Sequence, residues 1–493
     1  MTVRTTMWAL RADQGWGRVA AVALAAMLVA GCSTAGRNSP TAAIFGADAP
    51  GANTPAVDTQ EHSRIVAAYG GIYHDANVEQ TLVPIVSRIV ASSDRPDQAY
   101  RITILNSPAI NAFALPGGYL YVTRGLLALA SDSSEVAAVL AHEMGHITAN
   151  HAQARQEKAR EALVVSKAVS EVLNDDNSGQ LALASSQRNL ASFSRQQELE
   201  ADAIGVRTIG KAGYDPFAAA RFLTAMAHYS DFRASQTLRD KAPDFLATHP
   251  STPERVGFAQ QAARQFGAPG IGETDRDRYL AGIDGMVFGD DPGQGFVRDR
   301  TFIHPGLAIG FTVPEGFVID NTSDAVLATG VDGTALRFDA VGLATGTDLV
   351  EYLKSGWING LDENSIQSFS VNGLQAASAE AQAKGWFFQI AVIKAAGAAT
   401  YRFIFANEAA SDAFHREAQA TTASFRTVTP QELAALKALH VHIVTAAAGD
   451  TEAIVARRMR GVDRPRELFR ALNDLDPGEA IVAGTKLKIV DDR

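Results

Sequence analysis

SEVAAVLAHEMGHITANH, residues Ser134–His151, is the stretch whose reading decides the fold of the first half of the chain. Asp132, with Glu135 three residues on, reads as a capping box at the start of a helix, each side chain accepting from the other's amide. Val136, Val139, Leu140 and Ile147 recur at the spacing of one apolar helix face. As a helix, the segment sets His142 and His146 one turn apart on the same face, with Glu143 next along. Two imidazoles at i and i+4 can close on one metal ion with little distortion. Gly145 costs a helix about 1 kcal/mol relative to alanine. A residue without Cβ there leaves room for another segment to approach closely.

His142-Glu143-Met144-Gly145-His146 is the H-E-x-x-H arrangement of zinc hydrolases, in which the glutamate is the general base. Taken alone, it also fits a surface helix carrying two unrelated histidines, so a third ligand decides. Ser194–Asp202, SRQQELEAD, offers one. As a helix it places Glu198 and Asp202 on one face at i and i+4. Glu198 can supply an oxygen ligand. Asp202 can accept a hydrogen bond from the outer nitrogen of a ligand histidine, which fixes its tautomer. The alternative is a solvated acidic face for Glu198, Glu200 and Asp202. Against it, Ala201, Ala203, Ile204, Val206 and Ile209 make the helix too apolar to be wholly exposed. His228 has no partner motif and reads as structural, and His151, five residues past His146, reads as solvated and off the ligand face.

The chain of 493 residues is too long for one hydrophobic core, and about 100–200 residues per domain implies two to four domains. A net charge of −10 gives no reason to expect a nucleic-acid partner. The single cysteine, Cys32, excludes an intrachain disulfide and a Cys-based zinc site, so a metal site has to use histidine and carboxylate. Arg4, Arg11 and Arg18 precede the apolar run Val19–Ala30, which is too short to span a bilayer and has the length of a signal-peptide core. It ends in Val29-Ala30-Gly31-Cys32, which resembles a bacterial lipobox. That resemblance implies cleavage before Cys32 and lipidation of it, and Ser33 at the next position favours the periplasmic face of the outer membrane. A plain secretory signal with an incidental cysteine is the alternative.

The expected organisation is multidomain α+β. A signal peptide (1–31) and a flexible tether (32–58) precede a mainly helical metal domain with a small hairpin or sheet (59–266). A Gly/Asp-rich linker (267–295) leads to an α+β domain on a curved antiparallel sheet (296–428), which loosely resembles PsbP/Mog1-like domains. Residues 438–493 have βααβ order with Gly449-Asp450-Thr451 opening a helix, and resemble a LysM module; this implies binding to peptidoglycan, the alternative being a docking cap. Ahead of the zinc helix, Asn111-Ala112-Phe113-Ala114-Leu115 and Tyr119–Val122 flank a Pro116-Gly117-Gly118 turn. A strand edge there can hold an extended peptide by main-chain hydrogen bonds, or the hairpin can simply complete the core. After the zinc helix, the helical pattern breaks at Asn174–Gly179 and resumes through about Ser192.

HEMGH followed about fifty residues later by ExxxD in SRQQELEAD resembles the M48 family of zinc metallopeptidases, the Ste24/HtpX/BepA-type gluzincins. Asn111–Gly118, NAFALPGG, is similar to that family's edge-strand motif, and Thr248-His249-Pro250 with Arg255 to its later His-Pro…Arg motif. The resemblance covers about residues 60–265. It implies one Zn2+ per chain on His142, His146 and Glu198, with Glu143 as base and Asp202 behind the ligands. It makes His249 and Arg255 catalytic-pocket residues, with His249 either stabilising an oxyanion or resting on the metal. Asn111, Ala112 and Phe113 become the substrate edge strand. The expected function is a zinc endopeptidase of the bacterial cell envelope acting on misfolded or misassembled polypeptides. A largely non-proteolytic chaperone or scaffold for outer-membrane assembly, or a peptidoglycan-binding adaptor, is the alternative.

Overall fold

The computed structural model describes residues 59–158, 160, 176–234, 249–323, 325–344, 346–395, 399–462 and 464–492. The expected signal peptide, Cys32 and the tether lie outside the described residues.

Two helices open the fold, α1 (Thr59–Ala68) and α2 (Ala76–Ser92). Asp75 starts α2 by accepting from the amides of Asn77 and Val78, and Val78, Leu82, Ile85, Val86 and Ile89 give it one buried face. Strands β1 (Arg101–Leu105), β2 (Ala112–Leu115) and β3 (Tyr119–Thr123) form a sheet in the order β1-β3-β2. β1 runs parallel and β2 antiparallel to β3, which leaves β2 on the edge. Thr123 ends β3 and caps α3 (Arg124–Leu129) through the amide of Leu126.

The expected zinc helix is α4 (Ser133–Thr148), and it is buried all round from Ser133 to His146. Asp132 caps it by accepting from the Glu135 amide at 3.0 Å. The reciprocal bond expected at the Asp132 amide goes one residue further out, where Glu135 accepts from the Ser131 amide at 2.8 Å. Helix α5 (Asp176–Lys211) runs unbroken for 36 residues, so Asp176–Gly179 lie within a helix rather than in the expected break. Gly213, at φ +80°, ends α5 in a Schellman pattern: its amide donates to Gly210 and that of Tyr214 to Ile209. Helices α6 (Ala218–Ala234) and α7 (Pro253–Ala263) complete the packing around α4 and α5.

Residues 267–295, expected to be a linker, contain α8 (Arg276–Ile283) and β4 (Val287–Phe288). Tyr279, Leu280, Ile283 and Met286 are buried in the same core as α2 and α4. The Gly and Asp residues around them masked a short amphipathic helix.

The second region holds two antiparallel sheets where the sequence suggested one. The smaller contains β5 (Phe296–Arg298), β6 (Thr301–His304), β7 (Ile309–Thr312) and β15 (Arg426–Thr427), in the order β15-β7-β6-β5. The larger has β8 (Val318–Asn321), β9 (Val326–Thr329), β10 (Ala335–Gly342), β11 (Leu361–Val371), β12 (Leu374–Ala383), β13 (Trp386–Lys394) and β14 (Ala399–Asn407). Its order is β11-β12-β13-β14-β10-β9-β8. Phe302, Phe311, Phe338, Phe403 and Phe425 pack between the sheets with Phe414 of α10 (Asp412–Ala423). Leu349 and Leu353 of α9 (Leu349–Lys354) pack in a separate cluster with Ala377, Ile390 and Val392 of β12 and β13.

After α11 (Pro430–Ala435), the last region runs β16 (Leu439–Thr445), α12 (Glu452–Ala456), α13 (Pro465–Asn473) and β17 (Lys486–Asp491), the βααβ order expected. β16 pairs with β17 on one side and with β4 on the other. Val441 lies in the core of the helical region. The fully buried Lys488 donates to the carbonyls of Ala128, Leu129 and Ala130 at 2.9, 2.6 and 2.8 Å, at the end of α3 and just ahead of α4. His228 on α6 contacts Asp474 at 2.9 Å, so it is a structural tie, as expected of it.

Candidate metal centre

Two helices bring the donors together because both are cut away where they cross. A Cβ added at Gly145 would lie 3.2 Å from Cα and O of Ala201, and one added at Gly205 would lie 3.2 Å from N of His142. Larger residues at either position would hold α4 and α5 apart. With both glycines in place, Glu198 of α5 reaches the two histidines of α4.

His142 Nε2 and His146 Nε2 are 3.1 Å apart, and His142 Nε2 is 3.3 Å from His249 Nδ1. Glu198 places Oε2 3.4 Å from His142 Nε2 and 2.9 Å from His249 Nδ1, and Oε1 3.5 Å from His146 Nε2. These four residues form the metal-type cluster found among the described residues, and all four are buried. A tetrahedral zinc with donors at about 2.0–2.1 Å needs donor–donor edges of about 3.3–3.4 Å, close to those seen. Three imidazole nitrogens facing one another at these distances have no room for a proton on each. Glu198 Oε1 is buried with no hydrogen-bond partner among the described residues. The donor set fits a divalent metal.

Around this set, Asp202 Oδ1 lies 2.9 Å from His142 Nδ1. Asp202 is gripped by Arg255, whose Nε and Nη2 donate to its two oxygens at 2.8 and 2.7 Å. Arg255 Nη1 also sits 3.2 Å from Glu198 Oε2. Arg255 is therefore packed behind the ligands, not along the cleft where the resemblance put it. Burial works against charge on His142, yet hydrogen bonds to Asp202 and Glu198 raise it to about 9. Burial, then the charges of His142 and His249, keep His146 well below its ordinary value. Burial also opposes ionisation of Glu198, but hydrogen bonds to His142 and His249 hold it below the usual carboxylate range.

Glu143 and His146 face a cleft of about 1040 Å³, lined also by Tyr69, Asn111, Phe113 and His249. Burial raises the Glu143 carboxyl, and its Oε1 lacks a hydrogen-bond partner among the described residues, 3.7 Å from His249 Nε2. Of the edge-strand residues, Asn111 and Phe113 line the cleft, and Phe113 stacks on Tyr121 with ring centroids 4.8 Å apart. Ala112 is buried in the core, and the Asn111 amide donates to Tyr69 Oη at 2.9 Å.

One expectation fails. His151 is 2% exposed rather than solvated, with Nδ1 2.9 Å from His146 Nδ1 and Nε2 3.3 Å from Glu200 Oε2. Asn150 takes a left-handed conformation, φ 55°, which ends the helical phase, and a new helical turn starts at His151. Counting five residues along a helix misdirected the ring. An asparagine just past the last turn, a common αL residue there, was the available signal.

Residues 76–263 match the family model "Peptidase family M48". The chain is 30% identical over 212 residues to the beta-barrel assembly-enhancing protease of Yersinia pestis, covering 41% of this chain and 42% of the relative. It is 28% identical over 219 residues to that of Escherichia coli K12 (43% and 44%). It is 34% identical over 178 residues to the mitochondrial metalloendopeptidase OMA1 of Schizosaccharomyces pombe (35% and 49%). The chain thus spans less than half the length of these curated relatives. Among solved structures, the cyanobacterial PsbP (CyanoP) of Synechocystis aligns with 28% of this chain and 98% of its own at 12% identity and a TM-score of 0.21. Residues 76–263 are thus similar to peptidase family M48, and all four gathered donors lie inside the matched stretch.

Proposed function

We propose that the protein is a zinc-dependent endopeptidase of the bacterial cell envelope that cleaves misfolded or misassembled envelope polypeptides. The observation that carries this reading is the convergence of His142, His146 and Glu198 beside a buried glutamate in an open cleft. Bound zinc would supply Lewis-acid polarisation of the scissile carbonyl and acidify a water. Glu143 faces the cleft from the helical position between the two ligand histidines, without joining the donor set. Its carboxylate takes the proton of the attacking water and returns it to the leaving amine nitrogen. The edge strand β2 can pair with an extended substrate through main-chain hydrogen bonds, with Phe113 packing against it. Asp202, clamped by Arg255, orients His142, so Arg255 acts through Asp202 rather than on substrate.

His249 has a specific role in this reading. Its Nδ1 stands at the fourth corner of the donor set, which supports a resting form in which the histidine fills the position the attacking water needs. Cleavage then requires His249 to withdraw from that position. For residues 438–493, the buried Lys488 anchor supports a docking cap on the metal domain over an independent peptidoglycan-binding LysM module. The lipid anchor at Cys32 and the outer-membrane address rest on the lipobox-like sequence.

The test is Glu143→Gln. The variant is expected to keep one zinc per chain and lose casein cleavage by about 10²–10⁴-fold, the usual contribution of a positioned general base. Cleavage at the wild-type rate would remove Glu143 from the mechanism.

A further inference from the structure

Among the described residues, His146, unlike His142, has no carboxylate at its outer nitrogen. What meets its Nδ1 is His151 Nδ1, at 2.9 Å, with the two ring planes 74° apart. Behind it, His151 Nε2 lies 3.3 Å from Glu200 Oε2. The segment carrying His151 is held to α5 separately, where Gln197 Nε2 donates to the His151 carbonyl at 3.2 Å and Arg155 Nη1 donates to Gln197 Oε1 at 3.1 Å. The same turn of α5 that offers Glu198 to the metal therefore also fixes His151 through its neighbours.

We infer that His151 is a positioning residue for the metal site, one that locks His146 in its ligating tautomer through a His146–His151–Glu200 relay. Only one arrangement of protons fits these contacts. His146 Nε2 points into the donor set, so the ring proton is on Nδ1 and is donated to His151 Nδ1. His151 must then carry its own proton on Nε2, where Glu200 accepts it. The two metal histidines are thus oriented differently: His142 by the buried, Arg-clamped Asp202, and His146 by a second imidazole ending at a carboxylate whose side chain is 60% exposed. The relay rests on the metal-site reading but not on peptidase activity.

The experiment measures zinc affinity of the full chain by competition with a chromophoric chelator, for wild type, His151→Ala and His151→Asn. Removing the group that orients a ligand histidine weakens metal binding by about 10–100-fold, and this loss is expected for His151→Ala. In His151→Asn, Oδ1 stands where Nδ1 stood and still accepts from His146, so its affinity is expected within about threefold of wild type, below the 10–100-fold scale of a lost orienting group. Melting of the metal-free proteins separates a packing role, which would lower both melting points and leave affinity alike. A second measurement needs no variant. Nitrogen-15 histidine spectra of the zinc-loaded wild type are expected to show His146 protonated at Nδ1 and His151 at Nε2. Wild-type affinity in His151→Ala, equal weakening in both variants, or His151 protonated at Nδ1 each overturns the relay alone. A wild type that binds no zinc overturns the metal site and the relay with it.

Discussion

Lys488→Met tests whether the C-terminal region is structurally part of the metal domain. The ammonium is fully buried, and its three N–H groups go to three main-chain carbonyls at the end of α3. Below about pH 7, where the lysine keeps its charge, hydrogen bonds from it contribute about 1.5–3 kcal/mol each and offset the several kcal/mol needed to bury one ammonium; above it the neutral amine still donates to two of the three carbonyls. Methionine fills the volume but leaves the carbonyls without donors, and the expected loss is about 3–5 kcal/mol. The assay is hydrogen exchange of the α4 amides, since Ala130 leads directly into the cap at Asp132. The loss depends on pH in a definite direction. Burial lowers Lys488 to about 7, while Glu135 opposes the shift. Between that value and the unfolded value of about 10.4, the folded chain holds fewer protons on this lysine than the unfolded chain does. Wild-type stability relative to the methionine variant therefore rises as pH goes from 7 to 10. A variant within about 1 kcal/mol of wild type would refute the anchor, since even a single lost charged hydrogen bond exceeds that. A gap that narrows with rising pH would refute the electrostatic account of it.

Gly145→Ala is expected to weaken zinc binding even though alanine favours a helix by about 1 kcal/mol, because its Cβ would press on the Ala201 backbone and move Glu198; chelator competition reads it, and unchanged affinity would show that the crossing has slack. His249→Ala is expected to keep zinc on three donors and raise casein cleavage several-fold; a fall of about 100-fold or more would assign His249 to oxyanion stabilisation instead, that being the size of losing one such donor. Full-length protein is expected to stay in the supernatant when peptidoglycan sacculi are pelleted, and co-sedimentation would restore the LysM reading.

The parts of this protein legible in its sequence are those where one helix or strand carries the whole signal. His142 and His146 meet because α4 has a 3.6-residue period, and Glu198 and Asp202 share a face of α5 for the same reason. The β-strands of the second region follow from alternation, as in β10, where Leu336 and Phe338 point inward and Arg337 points outward. What escaped depends on where a helix ends or on a partner far along the chain. His151 was misdirected by one left-handed residue, Asn150, and α8 was hidden inside a Gly/Asp-rich stretch whose apolar side matters only against α2 and α4. Lys488 reads as an ordinary lysine on an edge strand until β17 is packed against α3.

These misses bear on function in the same way. In the proposed reading the sequence motif supplies the donors, and residues outside the H-E-x-x-H pattern orient them: Arg255 through Asp202, Glu200 through His151, and Lys488 through the start of α4. A ligand set held within a few tenths of an ångström needs such support, because an imidazole on a free rotamer samples positions far wider than a metal–ligand bond tolerates. His249 is the exception. Its ring Nδ1 meets His142 Nε2 at 3.3 Å and Glu198 Oε2 at 2.9 Å. Of the four donors it alone comes from neither α4 nor α5, so it can leave without unpacking either helix.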